Sequence, residues 1–419
     1  MTYSVTKDWL MEQYSKSNVK NSQIDVWYEN VYNDNFTYEH HNENRLDMFK
    51  VELPSVEDQF YVKHHSKMSL YYYRDDNTLE EFLRVVVMTA NLTYDDWNTH
   101  NQGIWISPKC ELSPTIPTTK TELANGESLT KFKATLLAYL HHYRNDNRNL
   151  HMDNSCKRWI QHVRRANFKN IRVVLIASAP GIYDTELVIP KSFYPCCSES
   201  DNMPTLQNYF CNSHNIITKI LEFDDLSKST WYIIAQSSTI GQLSENGLLK
   251  ELFPCLTTTA TSQPNPNVWI IYPSEEDFQS CVSSQNPATG FINLGGLFYN
   301  PRTHVSQIWI EQHLRRWSAE RTGRTRILPH IKSCCRVSPD SKKLSWFLLT
   351  SCCLTTTAWG CPYFKDGSKR VVANYEMGVL FFPTFFDDDY FAIEGVNGNG
   401  RTFPLMYDVK HPYGKPHFR

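Results

Sequence analysis

Residues 63–68 read KHHSKM and residues 329–333 read PHIKS. Each segment places a His and a Lys two residues apart, His65 with Lys67 and His330 with Lys332, and each precedes an apolar run of strand composition. Residues i and i+2 of an extended chain point to the same side, so an imidazole and an ammonium project together. Two such pairs brought to one point assemble two imidazoles and two fixed positive charges, a set suited to attack on a phosphate ester. A single H-x-K is most often a solvated strand edge or a satisfied core histidine. A second copy changes that reading.

The copies extend outward. After the first, residues 84–91 read RVVVMTAN, followed by Leu92, Thr93 and, six residues past Asn91, Trp97; after the second, residues 345–353 read SWFLLTSCC, followed by Leu354, Thr355 and, six residues past Cys353, Trp359. The chain is internally duplicated, which predicts two related domains of α/β class, residues 1–190 carrying the first motif and 191–419 the second. The Pro/Ser/Cys-rich stretch 190–204 is the expected join, and 257–267 (TTTATSQPNPN) is expected as a surface loop. Strands are expected at 84–89, 172–177, 231–235, 268–272, 346–350 and 379–382, and helices at 131–144 and 308–318.

Composition sets mild limits. At 419 residues, 41% hydrophobic and 13% aromatic, the chain can bury two ordinary cores. A formal net charge of −2 excludes a generally cationic surface, so any nucleic-acid contact must be local. The twelve cysteines include the adjacent pairs Cys196-Cys197, Cys334-Cys335 and Cys352-Cys353, and no C-x-x-C has a matching second half. Strand neighbours face opposite ways, which disfavours a shared metal or a relaxed disulfide, so reduced, mostly buried thiols of an intracellular protein are expected. The segment MTYSVTKDWLMEQYSKSN has no apolar core of signal-peptide length and no run of about 18 apolar residues occurs, so a soluble, non-secreted chain with no membrane partner is expected.

The constellation resembles the phospholipase D superfamily and, within it, the tyrosyl-DNA phosphodiesterases. The phospholipase and nuclease branches carry an Asp five residues after the Lys, where this chain has Tyr72 and Val337. The longer resemblances are HHSKM, TANLTYDDWNTHNQGIWISP at 89–108, RRWSAERTGR at 315–324 shortly before LPHIK, SPDSKKLSWFLLTS at 338–351 and NYEMGVLFFP at 374–383. Together they span most of the chain from about residue 8 to about residue 407. The family's long N-terminal tail is missing from this sequence. The resemblance implies two α/β/α sandwich domains with mixed sheets, packed about a pseudo-two-fold axis with the active site between them, and a monomer working without cofactor or metal on single-stranded or frayed DNA 3′ ends that carry a topoisomerase I-derived peptide. It also implies residence in the nucleus, with the cytoplasm as a second location.

Carried over residue by residue, the resemblance makes His65 the nucleophile and His330 the general acid and then base. Lys67, Lys332 and Asn91 hold the phosphate oxygens, while Gln102 and Glu376 orient the two imidazoles, whose near nitrogen can act only when the far one is fixed. Tyr61 matches an aromatic that stacks on a DNA base. QSSTIGQ at 236–242 resembles a DNA-contacting loop in which Ser238 and Thr239 offer hydroxyls, and Thr355 follows at the end of the second motif's strand. One position departs from the family: Cys353 stands where the family has Asn and where the repeat mirrors Asn91. A thiol is a weaker donor than an amide N–H, so reduced activity, or in the limit a DNA-end binding protein of the same fold, is the expected consequence.

Overall fold

The computed structural model describes residues 1–17, 22–32, 45–54, 56, 61–146, 150–184, 231–241, 267–281, 308–362, 368–393 and 401–409. The expected join at 190–204 and nearly all of the expected loop at 257–267 lie outside the described residues, and so does the boundary between residues 190 and 191.

The first motif feeds a hairpin. Strand Met68–Arg74 pairs antiparallel with Glu81–Met88, from Met68 opposite Val87 to Arg74 opposite Glu81. Between them the Asp75 carboxylate accepts the N–H groups of Asn77 (2.9 Å) and Thr78 (3.0 Å), the local bond that makes Asp a turn former. Ile104–Ile106 pairs along the other side of Glu81–Met88. The second motif repeats the plan: Ser333–Val337 pairs antiparallel with Lys343–Thr350, which pairs in turn with Asn374–Phe381.

These last three strands lie inside a ten-stranded mixed sheet. Their apolar runs are continuous rather than alternating because both faces are covered. Along Lys343–Thr350, Phe347 and Leu349 enter one core while Trp346 and Leu348 enter the other, and Cys335 and Cys334 divide between the same two cores. The described cysteines are free thiols. Val174–Ser178, from the first half of the sequence, pairs antiparallel with Asn374–Phe381, so the large sheet takes a strand from each half.

All six expected strands are present within a few residues of their expected bounds. The helix expected at 131–144 is present as Phe132–Asp146, and it buries Phe132, Leu136, Tyr139, Leu140 and Tyr143 along one stripe. The helix expected at 308–318 is replaced by a 3-10 segment, Ile308–His313, and a strand, Leu314–Arg316. Leu314–Arg316 pairs with Val268–Tyr272 at the sheet edge, and that ladder overrides the helical spacing of the apolar residues.

The helix Phe132–Asp146 also supports the first motif from below. Tyr139 hydroxyl bonds Ser66 Oγ, the Tyr143 ring stacks on Tyr375 with centroids 4.4 Å apart, and His64 meets the edge of Tyr143 at 5.4 Å. Both chain neighbours of His65 are thereby held in a rigid aromatic bed. Tyr143→Ala should cost about 3–5 kcal/mol, the range for deleting a buried aromatic, read as a lower midpoint in urea unfolding.

Candidate active site

Two short parallel ladders bring the motifs together. Lys63–His64 pairs with the start of Asn374–Phe381, Lys63 opposite Asn374 and His64 opposite Tyr375. His100–Asn101 pairs with Leu328–Pro329. Each ladder joins one half of the chain to the other. The first delivers Glu376 to His65 and the second delivers Gln102 to His330.

His65, Lys67, His330 and Lys332 themselves lie just past these short strands and just before the long ones, in chain that belongs to no ladder. The i, i+2 geometry therefore survives without strand pairing on both sides. What locks it is a bond within each motif: Lys67 Nζ donates to His65 O (2.8 Å) and Lys332 Nζ donates to His330 O (2.6 Å). The next residue enters the hairpin in the same way in both halves, with Met88 N–H donating to Lys67 O and Thr350 N–H to Lys332 O.

Around each imidazole a matching network follows. His65 Nδ1 lies 3.0 Å from Glu376 Oε2, and Glu376 accepts from Ser351 Oγ (2.5 Å) and Asn374 Nδ2 (3.0 Å). His330 Nδ1 lies 3.1–3.2 Å from the amide of Gln102, whose Oε1 accepts from Thr89 Oγ1 (2.7 Å). Thr89 and Ser351 are equivalent in the repeat. Each hydroxyl also accepts a backbone N–H at 2.9 Å, from Gly103 and from Met377.

Burial dominates the electrostatics. It pushes the His65 imidazole down to about 4, against the opposing pull of the Glu376 carboxylate, so at neutral pH the ring is neutral. Glu376 is itself held below the usual carboxylate range: burial would raise it, but His65, Lys67 and the Ser351 hydroxyl outweigh that. An ionised Glu376 accepts Nδ1–H and leaves the Nε2 lone pair unprotonated. Burial, then Lys332, brings the Lys67 ammonium down to about 7, and burial lowers Lys332 in the same direction. His330 falls well below the usual histidine value through burial and the nearby cationic groups Lys332, His100, Lys67 and His65.

The remaining expected residues divide. Asn91 is half-buried, with its Oδ1 buried and unbonded among the described residues. Cys353, half-buried, has Sγ 3.9 Å from Ser238 Oγ. Residues 238–241 are tied to the second motif by the bonds Leu354 N–H to Thr239 O (3.1 Å) and Gly241 N–H to Leu354 O (2.9 Å). Thr355 spends its hydroxyl as a helix cap, accepting from Ala358 N–H at 3.2 Å. Tyr61 is 73% exposed, with Lys63 Nζ 5.8 Å from its ring centre.

Several contributors are absent from the sequence reading. Thr89 and Ser351 were visible as an aligned Thr/Ser pair in the repeat. Ser237, whose hydroxyl donates to Thr239 O (2.6 Å) and accepts from Leu354 N–H (3.2 Å), fixes the 236–241 segment. Tyr3, in the strand Thr2–Thr6, sets its ring 5.4 Å from that of His65 and 5.8 Å from Lys67 Nζ. Asp96 reaches 3.6 Å from His330 Nδ1. No signal in one sequence marks Tyr3, but Thr93-x-x-Asp96 is a helix-start pattern directly after the site strand.

Comparison with known proteins places the chain in a family. The model of the family described as "Tyrosyl-DNA phosphodiesterase" matches residues 1–414. Tyrosyl-DNA phosphodiesterase 1 of Drosophila melanogaster is 29% identical over 381 residues, covering 87% of this chain and 57% of that protein. The protein of the same name from Arabidopsis thaliana is 28% identical over 331 residues, covering 77% and 47%. The chain thus spans about half the length of these curated relatives. The crystal structure of the yeast tyrosyl-DNA phosphodiesterase superimposes with a TM-score of 0.61 at 19% identity, covering 93% of this chain and 83% of that one, which establishes the shared fold. With two His-Lys pairs converging in a fold and sequence of this kind over nearly its whole length, the chain belongs to the tyrosyl-DNA phosphodiesterase family.

Proposed function

We propose that this protein is a DNA-repair phosphodiesterase that hydrolyses the bond between a DNA 3′-phosphate and the tyrosine of a trapped topoisomerase I remnant, without a metal ion. The observation that carries the reading is the pair of part-buried imidazoles, each with its Nδ1 engaged and each beside a lysine. His65 Nε2 attacks phosphorus and the bond to the tyrosine oxygen breaks, with His330 giving its proton to the leaving phenolate. His330, now neutral, takes a proton from water as the water oxygen attacks phosphorus. The P–N bond breaks, and DNA 3′-phosphate and free His65 result. Lys67 and Lys332 hold the non-bridging oxygens, the role that metals fill in other phosphoryl-transfer sites. Two related domains meeting at residues 190/191 about a pseudo-two-fold axis, a monomeric state, and work in the nucleus or cytoplasm on single-stranded or frayed 3′ ends, with Tyr61 stacking on a base and Ser238 and Thr239 near the strand, belong to the same reading.

The deciding experiment is single-turnover cleavage of a 3′-phosphotyrosyl oligonucleotide in EDTA. Cleavage that is lost in His65→Ala supports the reading, and no cleavage by the unaltered chain overturns it. A DNA-end binding protein of the same fold is the second reading, favoured by one observation: Cys353 offers a thiol where the repeat calls for an amide.

Three outcomes follow from the site. His330→Ala should accumulate a protein–DNA adduct, visible on a denaturing gel, because a phenol of pKa about 10 leaves with little acid help while the attacking water needs a base. Cys353→Asn should raise the single-turnover rate, by at most the roughly 10² to 10³ typical of one oxyanion donor; an unchanged rate in the folded variant would mean that another group already serves that oxygen.

The third outcome is a pH dependence. With Lys67 lowered to about 7, the free protein loses this charge above that pH, and binding the anion must then restore the proton. Affinity of His65→Ala protein for the 3′-phosphotyrosyl oligonucleotide, a diester of constant charge, should be level below about pH 7. Above it, affinity should fall by up to about tenfold per pH unit for one proton taken up, as read by fluorescence anisotropy.

A further inference from the structure

The two imidazoles are not equally provided for. At the equivalent positions of the repeat, His65 faces a carboxylate, Glu376, and His330 faces an amide, Gln102. An amide can orient a ring but brings no net charge to stabilise an imidazolium. The other groups facing His330 are Lys332, Lys67, His65 and His100, the last with its ring centre 6.0 Å away. All are cations or become cations on protonation. A group asked to deliver a proton is therefore set among positive charge.

Asp96 answers this. It is 3% exposed, and its Oδ2 lies 3.6 Å from His330 Nδ1. Among the described residues, no other carboxylate comes within ion-pair reach of that ring. The same Oδ2 accepts the backbone N–H of Asn91 at 2.5 Å, while Oδ1 lies 3.8 Å from His100 Nδ1. The neighbouring Asp95 is bonded to His100 Nδ1 through its backbone oxygen (3.1 Å). Asp96 also bears on both site lysines, favouring their charged forms. Its counterpart in the second half is Ala358, whose N–H is capped by Thr355 as that of Asp96 is by Thr93. The repeat is broken in opposite senses at two places: Glu376 against Gln102, and Ala358 against Asp96. Each histidine ends with one carboxylate, reached by a different route.

We infer that Asp96 is a positioning residue for His330, supplying the negative charge that lets this imidazole hold the proton it transfers to the leaving group. The inference rests on the functional reading above for its use in catalysis, but its physical content is a property of the free protein. The test is the imidazole Cε1–H NMR titration of His330 in the whole chain, which needs no turnover. Asp96→Asn keeps an oxygen for Asn91 N–H and removes the charge; Asp96→Ser does the same with a smaller group. Either should move the His330 midpoint down by on the order of one pH unit, and adding Gln102→Glu should bring it back up. In the unaltered protein, the Asp96 carboxylate carbon should shift at the pH where the His330 ring gains its proton, because that carbon senses charge on the neighbouring ring. A midpoint unmoved in a folded neutral variant, or a flat Asp96 carboxylate signal across the His330 titration, would overturn the inference and leave Asp96 as the acceptor that fixes Asn91.

Where the chain turns over, a second readout follows. An alkyl alcohol needs acid help to leave more than a phenol does, so Asp96→Asn should lose about tenfold more rate on a 3′-alkyl phosphodiester than on the phosphotyrosyl ester. Equal losses on both substrates would again reduce Asp96 to a structural role. Absence of cleavage by the unaltered chain would count against the functional reading, while the titration would still decide the inference.

Discussion

The site depends on two pairs of parallel residues crossing between the halves. Lys63 and His64 lie against Asn374 and Tyr375, and His100 and Asn101 lie against Leu328 and Pro329. Backbone hydrogen bonds at these contacts set register, and register decides which side chain comes next. His65 N–H is held by Tyr375 O, and His330 N–H by Asn101 O, so the residues following the two acceptors, Glu376 and Gln102, must face the two imidazoles. A slip of one residue in either ladder would turn the orienting group away. Neither half can form a working site alone, because each histidine borrows its partner from the other.

Between the ladders the protein holds two lysines that are 1% exposed. Isolated buried ammonium groups are expensive, and the expense shows as depressed basicity. Each Lys gives one N–H to the carbonyl of its own histidine, out of three available donors. Glu376 and Asp96 offset part of the repulsion between the pair, and an anion arriving between them completes the neutralisation. On the proposed reading, affinity for a phosphate diester and the cost of keeping two cations in a buried site are therefore one physical quantity seen from two sides. The donor geometry is preorganised before substrate arrives, which is the condition under which such groups act most strongly on developing charge.

Much of this was legible in the sequence because it repeats. The pairs His65-Lys67 and His330-Lys332, the strands that follow them, and the equivalence of Asn91 with Cys353 come from matching the chain against itself. The strands of the large sheet were legible because burial on both faces leaves apolar runs without alternation. The segment 308–318 was misread as a helix, since spacing alone cannot register the ladder with Val268–Tyr272 that captures Leu314–Arg316. Gln102 and Glu376 were named through resemblance; their pairing across the halves rests on ladders of two residues each, too short for any pattern to carry. Tyr3 reaches the site from 62 positions away along the chain (65 − 3), a contact set by tertiary packing alone.

The places where the repeat fails are as informative as those where it holds. A nucleophile needs one tautomer and an undistracted lone pair, and the ionised Glu376 beside His65 Nδ1 enforces both. On the proposed reading the acid and base must instead change protonation state within each cycle, so orientation and charge are better supplied by separate groups. An amide in contact with the ring and a carboxylate 3.6 Å away give orientation and moderate charge separately. Cys353 belongs to the same class of broken position: it holds the repeat position of Asn91, its thiol lies near Ser238, and a thiol supplies little of what an amide would. On the proposed reading, the repeat departs from itself where one transition state asks different things of its two ends.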